Sequence, residues 1–311
     1  MTAQEVSAVA KLKGWPNQVQ EVRHTSAGDD SQQPALFYAP ETNAPVPLLV
    51  GLHTWSCDYR MADGAPYAEW CVQKGWAFVY PNFRGPNNEP AACGSQLVVQ
   101  DILGAVDYAK EHAYVDPKRV YLCGASGGGH AALLMAGRAP EVWAAVSAWV
   151  GLSDLAAWHR ECKASGLPYA DDVSRSCGGT PGASAEVDEQ YRSRSPLTHL
   201  PNARGKVLLD ISAGIKDGHT GSVPISHSLR AFNAVAEPQH RIEDGDIDYL
   251  TREAGIPLHL VGGEELDDPS YGEHTPLLRR TSGKARLTVF QGGHEIIFDA
   301  ALPWLAAQRR P

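Results

Sequence analysis

Gly124-Ala125-Ser126-Gly127-Gly128 surrounds one hydroxyl with four small residues. It stands between an apolar run, Arg119-Val120-Tyr121-Leu122-Cys123, and a small-residue helical stretch, His130 to Met135. Strand, tight turn and helix in that order make a nucleophile elbow. The turn is too sharp for bulky neighbours, and it lifts the Ser126 hydroxyl above a sheet at a helix N-terminus. There the helix dipole and free N–H groups favour negative charge. The chemistry this predicts is acyl transfer through Ser126. A serine hydroxyl is a poor nucleophile at neutral pH, so it needs a base in reach and a carboxylate to orient that base. Of the 12 histidines, His294 alone combines a glycine-flanked loop, Gln291-Gly292-Gly293-His294-Glu295, with the end of a strand late in the chain. Asp217, on the turn Ser212-Ala213-Gly214-Ile215-Lys216-Asp217-Gly218, is the expected acid. Asp210, the other choice, lies inside a strand.

The elements that must hold these groups alternate between strand-like and helix-like runs, the pattern of a mostly parallel sheet covered by helices on both faces. Strands are expected at 18–24, 35–38, 46–53, 77–80, around Val120, at 144–150, 206–211 and 285–290. Helices are expected at 61–74, at 96–112, after Ser126 and from about Pro224. Two stretches break the rhythm. Residues 155–204, rich in charge, Gly, Pro and Ser, read as a lid insertion over the carboxyl ends of the strands, where ligands bind in open α/β sheets. Residues 237–284 read as a rim insertion. The whole chain, 1–311, is expected to be one domain.

A developing oxyanion needs two preorganised donors. One is expected from the Gly127 amide. The other is expected from the loop Leu52-His53-Thr54-Trp55-Ser56, with the Trp55 amide nominated, Thr54 beside it and the Tyr59 hydroxyl as the alternative. Thr54, Tyr59, Arg84 and Trp149 are the expected substrate contacts. The aromatic faces suit an acyl group or a sugar ring, and Arg84 suits a carboxylate or sugar hydroxyl. For Trp149 packing is the favoured reading over substrate contact, and for Arg84 pairing with a loop carboxylate accounts equally well.

Composition limits the partners. The 311 residues carry 27 Lys plus Arg against 36 Asp plus Glu, a formal charge of -9, without a basic block. Nucleic acid and anionic membrane surfaces are therefore poor partners. No apolar run is long enough to span a membrane, and Met1 to Lys13 lacks the apolar centre of a signal peptide. The expectation is a cytoplasmic protein, or a secreted or periplasmic one if a leader was removed. Cys57, Cys93, Cys162 and Cys177 lie in loop-like sequence and suffice for two disulfides; a Cys57–Cys93 bridge would stiffen the oxyanion loop. Glu243-Asp244-Gly245-Asp246-Ile247-Asp248 starts like a calcium loop, but Tyr249 and Gly255 occupy positions that require Gly and Glu, so it reads as a solvated turn. No metal site and no cofactor are implied. Oligomeric state is not encoded in any of these features.

Taken together, Pro81-Asn82-Phe83-Arg84-Gly85, Gly124–Gly128, Tyr191-Arg192-Ser193-Arg194-Ser195-Pro196-Leu197, Asp217 with Ser222-Val223-Pro224, and Gly293-His294 resemble the α/β-hydrolase superfamily. They are most similar to the catalytic domain of the prolyl oligopeptidase family. The resemblance implies the α/β-hydrolase fold and a Ser126–His294–Asp217 triad. Oligopeptidases of that family carry an N-terminal β-propeller, and the few dozen residues before the first core strand lead us to expect its absence here. Propeller-free relatives are often esterases. The expected function is therefore hydrolysis of carboxylic esters, including acetyl or feruloyl esters of carbohydrates, with a peptidase acting on short peptides as the alternative. A hydrolase fold used only for binding is the reading from a different class.

Overall fold

Strands form where apolar, β-branched residues run together. In the computed structural model, which describes residues 12–262 and 264–311, nine strands make one sheet. They are β1 Gln20–Thr25, β2 Gln32–Tyr38, β3 Val46–Leu52, β4 Ala77–Pro81, β5 Val115–Ala125, β6 Ala145–Trp149, β7 Leu208–Gly214, β8 Pro276–Ser282 and β9 Ala285–Phe290. Their spatial order is β1-β2-β4-β3-β5-β6-β7-β9-β8. In spatial order from β4 to β9 the neighbours pair in parallel, whereas β1 and β2 at one margin and β8 at the other pair antiparallel. The first eleven residues, on which most of the signal-peptide reading rests, lie outside the described residues.

Among the described residues ten α-helices follow in chain order. They are α1 Ala65–Lys74, α2 Gln96–His112, α3 Gly127–Arg138, α4 Leu155–Ala164, α5 Tyr169–Cys177, α6 Ala185–Arg194, α7 Pro196–His199, α8 Ser226–Val235, α9 Asp244–Glu253 and α10 Phe298–Ala306. Helices α2, α3 and α8 cover one face of the sheet around Leu122, Leu133, Val146, Ile211 and Phe232. Helices α1 and α10 cover the other around Phe78, Tyr121, Trp149 and Leu302. Two buried faces explain why the central strands read as unbroken apolar runs. Helix α1 starts four residues later than its pattern suggests, because Pro66 suits the first helical turn, where no N–H partner is needed.

The stretch 155–204 folds as helices α4 to α7 around a third buried cluster containing Trp55, Trp158, Val173 and Tyr191. Arg194 ties it to the loop before α2, donating to the carbonyls of Pro90 and Ala92. The stretch 237–284 is more regular than its composition suggests. It holds α9 and the edge strand β8. The calcium-like acidic run is not a turn but the start of α9, where Asp244 and Asp246 face the positive end of the helix dipole.

No helix among the described residues is long and apolar enough to cross a membrane. All six cysteines are free, so the expected Cys57–Cys93 bridge is absent. Cys57 lies beside Tyr80, whereas Cys93 is buried against Ser176 and Cys177.

Helix α3 also buries His130 completely, with Nε2 2.9 Å from the Arg194 carbonyl and Nδ1 without a partner. Burial pushes its pKa down to about 4. The unfolded chain takes up this proton below about pH 6.5, while the native protein resists until near pH 4. The contribution of His130 is thus whole above pH 6.5 and lost on acidification, up to roughly 3 kcal/mol. Urea unfolding midpoints should fall between pH 7 and pH 4.5, and less steeply for His130→Gln, whose amide still donates to the Arg194 carbonyl. Parallel curves for the two proteins would contradict this.

Candidate active site

Strand β5 ends at Ala125 and α3 begins at Gly127, leaving Ser126 alone at the corner with φ 56° and ψ −118°. A non-glycine residue in that region costs of order 1–3 kcal/mol, borne here by the surrounding packing. The Ser126 N–H donates to the Trp149 carbonyl (2.9 Å), which anchors the corner to β6. The flanking glycines are obligatory on contact grounds. A Cβ on Gly124 would lie 2.4 Å from the Gly128 carbonyl oxygen, and one on Gly127 would lie 2.4 Å from the Trp55 nitrogen.

Strands β7 and β9 deliver the other two groups. Their pairing runs to Gly214 and Phe290, then continues beyond the strand ends through Ile215 N–H to the Phe290 carbonyl and Lys216 N–H to the Gly292 carbonyl, each 2.9 Å. This brings the Asp217 turn against the His294 loop. His294 Nε2 lies 2.8 Å from Ser126 Oγ, and Nδ1 lies 2.9 Å from both Asp217 carboxylate oxygens. Asp217 is buried, and burial raises its pKa against the opposing pull of His294. The Gly218 N–H donates to the same carboxylate (2.9 Å), and Glu295 accepts from the Gly293 N–H (2.9 Å), bracing the two loops. Asp210 is equally buried but committed elsewhere, accepting from Arg286 (2.8 Å) and from the Ser147 hydroxyl (2.9 Å).

The Trp55 nitrogen lies close against Gly127, the residue after the serine, and among the described residues neither the Gly127 nor the Trp55 amide has a hydrogen-bond acceptor. Beside them opens a cavity of about 310 Å³. Thr54, Trp55, Val150, Tyr169, Ile296 and the Ser126–His294 pair form its walls. Of the residues nominated from sequence for substrate or oxyanion contact, Thr54 and Trp55 line this cavity. Tyr59, Arg84 and Trp149 are not in this cavity. Tyr59 is buried in the core on the α1 face, its phenol beside Glu21. Arg84 is spent on Asp101 (2.6 Å) and Asp29 (2.7 Å). Trp149 is fully buried, donates to the Ser147 hydroxyl (2.8 Å) and packs on Tyr271 and Phe290. Three walls had no sequence signal. Val150 carries a φ of 44°, unusual for a β-branched residue, Tyr169 comes from helix α5, and Ile296 follows the histidine loop. No described residue of 237–284 lines the cavity. Among the described residues no three His, Cys, Asp or Glu side chains are grouped to hold a metal.

The sequence model of the prolyl oligopeptidase family matches residues 66–250. The acylamino-acid-releasing enzyme of Arabidopsis thaliana is 29% identical over 208 residues, covering 61% of this chain and 25% of the relative. Acylamino-acid-releasing enzyme 2 of Oryza sativa subsp. japonica is 23% identical over 230 residues, covering 67% and 28%. The chain thus spans about a quarter of the length of these curated relatives. Among solved structures, puromycin hydrolase aligns with a TM-score of 0.59 at 17% identity over 93% of this chain and 37% of that one. An acylaminoacyl peptidase in complex with Z-Gly-Gly-Phe-chloromethyl ketone aligns with a TM-score of 0.55 at 18% identity, over 70% and 34%. At such identity these two likenesses establish the α/β-hydrolase fold.

Proposed function

The chain belongs to the prolyl oligopeptidase family of serine hydrolases, and from that premise we propose that it is a serine peptidase cleaving short or N-acylated peptides through an acyl-enzyme. The observation that carries the reading is the hydrogen-bonded line Asp217–His294–Ser126, opening on an apolar cavity beside two free amides. Ser126 Oγ attacks the scissile carbonyl carbon as His294 Nε2 takes its proton. Asp217 holds the Nδ1–H tautomer and stabilises the imidazolium. The carbonyl oxygen gains negative charge and receives the Gly127 and Trp55 N–H groups. His294 then protonates the leaving amine and activates the water that frees the acid and regenerates Ser126.

Peptides rank above esters because the curated relatives are named for release of acylated amino acids. The ester reading, and within it acetyl or feruloyl esters of carbohydrates, has no such support and serves as the comparison arm of the test. The segment 155–204 acts in this reading as a lid, supported by Tyr169 of α5 in the cavity wall. Turnover of N-acetyl-phenylalanine p-nitroanilide, its free-amine counterpart, p-nitrophenyl acetate, methyl ferulate and acetylated xylan should be compared, with Ser126→Ala as control. Ser126-dependent cleavage of the acetylated anilide is expected. Inert anilides beside rapid ester turnover would overturn the peptidase reading in favour of an esterase.

A further inference from the structure

Trp55 is restrained at several points. Its carbonyl accepts from the Asn87 N–H (2.9 Å) and from the Asn87 side-chain amide (3.3 Å). The Thr54 carbonyl, on the same peptide plane as the Trp55 N–H, lies 2.9 Å from His53 Nδ1. The indole ring meets Trp158 edge-on, with centroids 4.6 Å apart. Its Nε1–H donates to Asp172 Oδ2 at 3.1 Å, across 117 residues of sequence. Asp172 stands on α5, one turn from Tyr169, and its side chain is largely shielded from water. Its second oxygen accepts from Arg175, which also reaches the Asn88 carbonyl (3.4 Å), next to the residue gripping Trp55.

We propose that Asp172 is a positioning residue: by holding the Trp55 indole it aims the Trp55 backbone N–H at the oxyanion, and so makes the inserted helices part of the catalytic electrostatics. The inference deepens the proposed function and rests on Ser126 being the nucleophile. The physical argument is one of preorganisation. A donor helps the transition state only if its dipole already points at the developing charge. The backbone anchors on Thr54 and Trp55 leave rotation of the whole residue about its chain neighbours, and the indole hydrogen bond at the far end of a rigid side chain opposes that rotation. Without the carboxylate, the buried indole N–H must find another acceptor, and the loop must move to provide one.

The test is steady-state kinetics on Asp172→Ala, Asp172→Asn, Trp55→Phe and the Asp172→Ala/Trp55→Phe double variant. They are paired with inhibition by a peptidyl trifluoromethyl ketone, whose adduct places an oxyanion on the same donors. Removing an oxyanion donor outright costs about 10²–10³ in kcat; misaiming one should cost roughly 10-fold. We expect that loss for Asp172→Ala with KM nearly unchanged, matched by a similar weakening of the ketone. Asp172→Asn, which keeps an acceptor oxygen, should recover most of it. Trp55→Phe should show a comparable kcat loss, and the double variant should be no worse than the singles. If Asp172→Ala does not fold, Trp55→Phe, which retains the carboxylate and an aromatic ring, carries the same expectation alone. Unchanged kcat, a change confined to KM, or additive losses would overturn the proposal. Labelling of wild-type Ser126 by a fluorophosphonate separates the two levels: no labelling and no Ser126-dependent turnover would sink the nucleophile reading itself.

Discussion

Ser126→Ala is expected to lower kcat by about 10⁶-fold, and His294→Ala by a similar factor, with the double variant no worse than either alone. The reason is cooperative. The hydroxyl is nucleophilic only while His294 Nε2, 2.8 Å away, receives its proton, so removing either group removes the same step. What survives is the catalysis supplied by the two amides and by substrate binding, on the order of 10³ over water. Single-turnover measurements with an activated acyl substrate, alongside thermal unfolding, check this. A residual kcat within 100-fold of wild type in an intact fold would mean that another group performs the attack.

Asp217→Asn should lower kcat by about 10⁴-fold while leaving the fold intact, because the amide favours the wrong imidazole tautomer. Asp210→Asn should do the reverse. Its carboxylate is bound to Arg286 and Ser147, so its loss strands a largely buried guanidinium and costs on the order of 3 kcal/mol of stability with kcat near wild type. Measuring kcat and the urea midpoint for both variants separates the two aspartates. If Asp217→Asn kept wild-type turnover, the acid would have to be sought elsewhere.

The groups that act on their immediate chain neighbours were legible in the sequence. The elbow, the helix at Gln96–His112 and the strand at Ala285–Phe290 each carry their signal locally: small side chains, a helical period through Leu97, Ile102, Val106 and Ala109, an apolar run ended by glycines. Strand β8 was not legible, since Pro276 opens it and Arg279-Arg280 interrupts its alternation, both tolerable only at a sheet edge. Tyr59, Arg84 and Trp149 show a different limit. Residue type states what a side chain is able to bind, while its direction depends on which partner the fold brings near. Arg84 finds Asp101 and Asp29, and Trp149 finds Ser147, before any substrate arrives. Tyr169 and Asp172 were invisible for the converse reason. They reach the site only when helices α4 to α7 have packed against the oxyanion loop, an event no local pattern encodes.

The β7–β9 pairing that carries Asp217 and His294 together also sets a timetable for synthesis. A growing polypeptide emerging from the ribosome exposes the elbow well before β9, yet remains inert until the loop after β9 has been made, because its base arrives 168 residues after its nucleophile. Once β7 has been made and until β9 follows, β7 presents an unpaired parallel edge, which in a nascent chain is a template for the wrong partner. Chaperone demand should therefore peak between the synthesis of β7 and that of β9, and products cut short before β9 should be both inactive and prone to aggregate.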